Sequence, residues 1–139
     1  MRGIVVVLPL LLAFFLAGML PIAGLAIADT DAALDYLATQ QNPDGGYGSG
    51  FAPDSSVGAT ADAVLAILAV GGDPATFAQD GDTPLAYLAA HGSEADLGGD
   101  VAKLIMAAIT AGENPRTWAE GDPVARLEGL GSESGKIGV

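Results

Sequence analysis

Apolar residues along this chain fall into blocks with helical spacing, separated by breaks rich in glycine and proline. Ala33, Leu34, Leu37 and Ala38 share one helical face with Tyr36 beside them, which predicts a first helix over 31–41. Asn42-Pro43-Asp44-Gly45-Gly46 ends it, because proline disfavours a helical preceding residue and glycine accepts positive φ. A loop rich in Gly and Ser follows to about Ser56. The next block, 58–70, is nearly all apolar from Ala63 to Ala69, so a helix buried on most sides is expected there. Gly71 is placed to cap its C-terminus, and Asp73-Pro74 opens a short turn. Thr83-Pro84 starts a third helix that runs to about Ala90. A fourth, over 99–111, carries Val101, Leu104, Ile105, Met106 and Ile109 and closes at Gly112. A fifth begins at Asp122-Pro123 and ends near Leu130. No segment alternates with period two, so no sheet is expected.

The first, third and fifth helices are short and amphipathic, whereas the second and fourth are longer and more apolar. That alternation predicts an all-α fold in two layers, with buried helices inside and amphipathic ones facing solvent. Internal similarity supports the pairing. Leu68 to Phe77 is echoed by Ile109 to Trp118, at an offset of 41. Ala33-Leu34-Asp35-Tyr36-Leu37 is echoed by Pro84-Leu85-Ala86-Tyr87-Leu88. Each unit is one helix pair that cannot bury its own apolar face alone.

The N-terminal stretch changes the picture of location. Residues 3–28 carry no charge, follow Arg2, and end in Ala26-Ile27-Ala28. This is the pattern of a secretory signal cleaved before Asp29, or of an uncleaved signal anchor, and it divides the chain into 1–28 and a domain over 29–139. The expected location is secreted or at the cell envelope, with membrane attachment only through an uncleaved N-terminal segment. All 17 acidic residues follow Ala28, against Lys103, Arg116, Arg126 and Lys136. A net charge of −12 disfavours nucleic acid, whose phosphates need Lys and Arg. Cys is absent, so disulfides, Cys nucleophiles and Cys-ligated metals are excluded. One histidine, His91, leaves no basis for His-rich metal sites or a Ser–His–Asp triad.

The string Ala33-x-x-Tyr36-Leu37-x-x-x-Gln41-x-x-x-Gly45-x-Tyr47 resembles the glutamine–tryptophan (QW) repeat of the squalene–hopene cyclase and prenyltransferase superfamily. Ala32 stands where the family has a basic residue, and Tyr47 where it has Trp. In physical terms, the Gln side chain bonds backbone groups freed at the helix end, and the ring packs on the glycine turn. The resemblance implies an (α/α) toroid, of which about five helices form an incomplete arc. A degenerate further copy follows, with Leu127, Gly135 and Gly138 matching, Ile137 in place of Tyr47 and Gly131 in place of Gln41.

The chemistry that this superfamily uses is missing. No Asp-x-Asp-Asp proton donor occurs, and no Cys exists for a prenyltransferase zinc site or a thioester. Asp29-Thr30-Asp31 and Asp80-Gly81-Asp82 read as helix-capping acids. Asp62 and Lys103 occupy equivalent places on the two apolar helices, which suggests a cavity-lining ion pair or a solvated one. Asp96 with Asp100, and Asn42, Asp44 and Asp54 around the glycine loop, are too few oxygens for a calcium site and read as loop and capping groups. Tyr47 and Phe51 are candidates to stack on a sugar or apolar ligand at a rim, or to seal the hairpin. Phe77 and Trp118 repeat at 41, which favours seals between units. His91 is placed to meet the last carbonyls of its helix. Ser55, Ser56 and Thr60 have no partner base for nucleophilic catalysis.

The expectation is thus an exported, non-catalytic toroid arc that binds a small molecule or acts as a scaffold. The candidate lining residues are Asp62, Lys103, Tyr47 and Phe51; catalytic and metal residues are none, and the cofactor is unknown. A small apolar or cobalamin-like ligand suits this expectation, the latter by analogy with carriers of similar toroid shape. Two alternatives remain open: a fragment of a cyclase- or prenyltransferase-like enzyme whose catalytic residues lie beyond Val139, and a module whose ring is completed by a partner chain.

Overall fold

The computed structural model describes residues 29–132, so the expected signal segment and the end of the degenerate copy lie outside the described residues. Among the described residues five α-helices follow one another: α1 (Thr30–Gln40), α2 (Val57–Ala69), α3 (Pro84–His91), α4 (Gly98–Thr110) and α5 (Pro123–Ser132). Short 3-10 turns at Pro74–Thr76 and Gly92–Glu94 join them. No helix among the described residues is long and apolar enough to cross a membrane.

Most helix starts are fixed by a side-chain oxygen that takes up a free backbone N–H. Asp29 Oδ1 accepts from Ala32, Ser56 Oγ from Ala59, Thr83 Oγ1 from Ala86 and Asp122 Oδ1 from Ala125. Asp73 serves the 3-10 turn in the same way through Ala75. Asp80 and Asp82 are not caps as expected. They form a reverse turn with Asp80 at φ 52°, and Thr83 caps α3 instead. Asp96 caps nothing either: Leu97 precedes α4 without a side-chain bond, while Asp100 lies in its first turn.

The expectation of no sheet is overturned by a small antiparallel hairpin, β1 (Gly48–Ser49) with β2 (Ala52–Ser55). Burial does not drive it, since β2 is largely exposed. Polar side chains tie it instead. Asn42 Nδ2 donates to Pro53 O and Ser55 Oγ, both at 2.9 Å. Ser55 Oγ donates in turn to Asp44 Oδ1 at 2.7 Å, which also accepts from Gly46 N–H.

The core sits where α2 packs on α4, with α3 against α2 and α5 against α4. Val57, Ala61, Val64, Leu88, Val101, Leu104 and Ala107 form it, with Trp118 and Leu127 packed at its edge. Burying a side chain such as Leu104 contributes about 2–3 kcal/mol. The longer apolar helices are the inner pair, as their composition predicts. Helix α2 is largely buried, with seven of its thirteen residues in the interior, while Val70 just beyond it and Met106 and Ile109 on α4 are each about half exposed. The amphipathic α1 departs further: none of its residues is buried, and Leu34 and Leu37 are only half covered.

Candidate functional site

The residues of the QW-like string make one compact device. The chain turns back after α1, so that Gln41 bridges to Tyr47. Gly45 makes this turn at φ 81°, and a Cβ there would lie 2.8 Å from the Thr83 carbonyl oxygen, so only glycine fits. Gln41 is buried, and its Nε2 donates to Gly45 O at 2.9 Å, Phe77 O at 3.3 Å and Asp82 O at 3.5 Å. Its amide thus joins the first unit to the start of the second, beyond the helix end that the sequence pointed to. Tyr47 is 3% exposed, and its backbone N–H donates to the buried Thr60 Oγ1 at 2.9 Å. Its side chain is buried, and its hydroxyl has no hydrogen-bond partner among the described residues. Burial also raises the Tyr47 phenol above the ordinary value, because the anion would lose its hydration.

An open groove of about 680 Å³ runs beside this device, between α1, the hairpin and α2. Leu37, Ala59, Ala63 and Ala66 give it small apolar surfaces. Tyr36, Gln40, Ser49 and Asp62 give it an aromatic ring and polar groups. The volume lies within the range of small-molecule sites. Tyr36 is 64% exposed, so α1 turns this ring away from the core.

Of the four residues singled out in the sequence, the groove brings together Tyr47 and Asp62. Lys103 stands behind Asp62, with its Nζ donating to Asp62 Oδ2 at 2.8 Å. Asp100 Oδ1 lies 3.8 Å from the same ammonium. The Asp62 hydrogen bond is the main reason why the Lys103 pKa is raised. At 35% and 58% exposure this is the solvated version of the pair, worth little in stability. Phe51 is fully exposed at the hairpin tip and does not line the groove. Tyr36 and Gln40 were missed, because helical spacing marks which face is apolar and says nothing about which side stays open.

Other singled-out residues have structural places. Phe77 is half-buried beside a second, smaller cleft on the far side of α1. His91 does not meet its helix carbonyls: its ring stacks on Tyr87 at 4.4 Å, and Nδ1 lies 2.8 Å from Glu94 Oε1. Ser55, Ser56 and Thr60 are all spent on backbone or loop hydrogen bonds. Arg126 donates to the carbonyls of Gly92 and Ala95, tying α5 to the loop before α4. Among the described residues no three His, Asp or Glu side chains converge as a metal site.

Comparison with family models, with curated proteins and with solved structures finds no match to this chain.

Proposed function

We propose that this chain is an exported, non-catalytic binding module of the α/α-toroid kind, with the groove beside α1 as its ligand site. The observation that carries the reading is the groove itself: an open cleft of ligand size with apolar walls, an exposed aromatic ring and a few polar groups. The placement of acids supports binding over catalysis, since Asp29, Asp44, Asp73 and Asp122 are engaged with backbone N–H groups. The toroid and the exported location rest on the QW-like string and the N-terminal pattern. Screening the labelled chain against a small-molecule library by NMR tests the reading. Saturable shifts confined to the groove are expected, and a library that leaves those amides unmoved would contradict it.

A second reading, a scaffold whose ring is completed by a partner chain, is favoured by the half-exposed Val70, Met106 and Ile109 on the inner helices. Light scattering after chromatography tests it: a monomer that captures no helical partner from its source would count against it.

A further inference from the structure

We infer that the groove takes a neutral saccharide, stacked on Tyr36 and hydrogen-bonded at the α2 wall; this rests on the binding reading above. The groove's inventory of groups points to that class. The C–H face of a pyranose is apolar and flat, and it packs on an exposed phenol ring such as Tyr36, on the wall formed by α1. Ala59, Ala63 and Ala66 keep the α2 side shallow, leaving room for the thickness of a sugar ring.

The polar groups match hydroxyls. A sugar hydroxyl both donates and accepts, so it suits mixed neighbours. Asp62 gives one carboxylate oxygen to Lys103, and its Oδ1 has no hydrogen bond among the described residues. Ser49 Oγ accepts from Ala52 N–H and keeps its own proton to donate. Gln40 donates to Thr39 through Nε2 and keeps its carbonyl oxygen. Tyr47 also lines the groove, and its buried hydroxyl has no hydrogen-bond partner among the described residues.

Charge selects neutrality. Among the described residues no Lys or Arg lines the groove, and the chain carries −12, so anionic ligands are repelled. A cation would have to compete with Lys103 for Asp62, the one carboxylate there.

The test is an NMR titration of the full-length ¹⁵N-labelled chain with maltohexaose, cellohexaose and chitotetraose. At least one should shift the amides of Tyr36, Gln40, Ser49 and Asp62 saturably. Tyr36→Ala should weaken that binding at least tenfold, while Tyr36→Trp retains it, both with an unchanged melting temperature. Asp62→Asn, which keeps the shape and removes the charge, should weaken it severalfold. If no saccharide moves these amides but dodecyltrimethylammonium below its micelle concentration does, the groove binds and the saccharide inference is wrong. If neither moves them, both the inference and the binding reading fall.

Discussion

The two helix pairs of this chain share a plan and differ in how they are closed. In the second pair, residues 92–97 link α3 to α4, and Pro84, Tyr87 and Leu88 of α3 are buried. In the first pair, residues 41–56 intervene, a hairpin fills the space, and α1 buries nothing. Helices α2 and α4 are the same length, so the inner elements do not explain the contrast. The neighbour does: α3 packs on α2, the inner helix of the preceding pair, whereas among the described residues no earlier helix offers α1 such a seat, and α1 stands beside α2 and the hairpin with a groove between them. Helix α3 thus shares the core with α2 and α4, and α1 is the helix that has surface to offer. In place of core contacts, α1 is followed by the buried Gln41 amide, which fastens its end to the backbone of Gly45, Phe77 and Asp82.

The largest test of this contrast is a charge placed in each half. Leu104 is fully buried, so Leu104→Asp should cost about 4 kcal/mol or more and unfold the domain. Leu37→Asp, on the half-covered face of α1, should cost about 1 kcal/mol. Urea midpoints check both, and equal losses would remove the distinction. Next in size is the clamp. Gln41→Ala strands carbonyls that it now satisfies and should cost about 2 kcal/mol, read in the same way.

Tyr47→Phe should be neutral or stabilising by up to about 1 kcal/mol, because it deletes a buried hydroxyl that has no partner. Its pH signature is separate. Burial raises the phenols of Tyr47 and Tyr87 above the ordinary 10.0, with Asp44 and Glu94 adding to the Tyr87 shift. The unfolded chain therefore loses these protons first as pH rises. Stability is full below about pH 10 and falls above it, and Tyr47→Phe should shallow that fall in melts taken from pH 8 to 11. The smallest effect belongs to the solvated pair: Lys103→Met should change stability by less than about 0.5 kcal/mol. A loss of several kcal/mol in calorimetry would mean that the pair is structural after all.

Much of the helical order was legible, because capping and glycine chemistry act locally. Asp73-Pro74, Thr83-Pro84 and Asp122-Pro123 each announce a start, and Gly71 and Gly112 take the positive φ that ends a helix. Asp62 and Lys103, singled out together in the sequence, do meet, at 2.8 Å. The hairpin was not legible, because its pairing is held by Asn42, Asp44 and Ser55 and by no alternating apolar face. The poor burial of α1 was hidden for another reason: a pattern of Leu34 and Leu37 states a need for cover but not whether a neighbour supplies it. Tyr47 and Asp62, singled out by the motif and the repeat, both line the groove. Tyr36 and Gln40 escaped, since the groove they line exists only once α1, the hairpin and α2 are placed together.

The central claim, that α3 is locked into the core and α1 is only clamped, is tested most directly by residue-resolved amide hydrogen exchange. Amides of α1 should exchange at least a hundredfold faster than those of α3, through openings that leave α2 and α4 protected. Equal protection of α1 and α3, with both following global unfolding, would contradict the account.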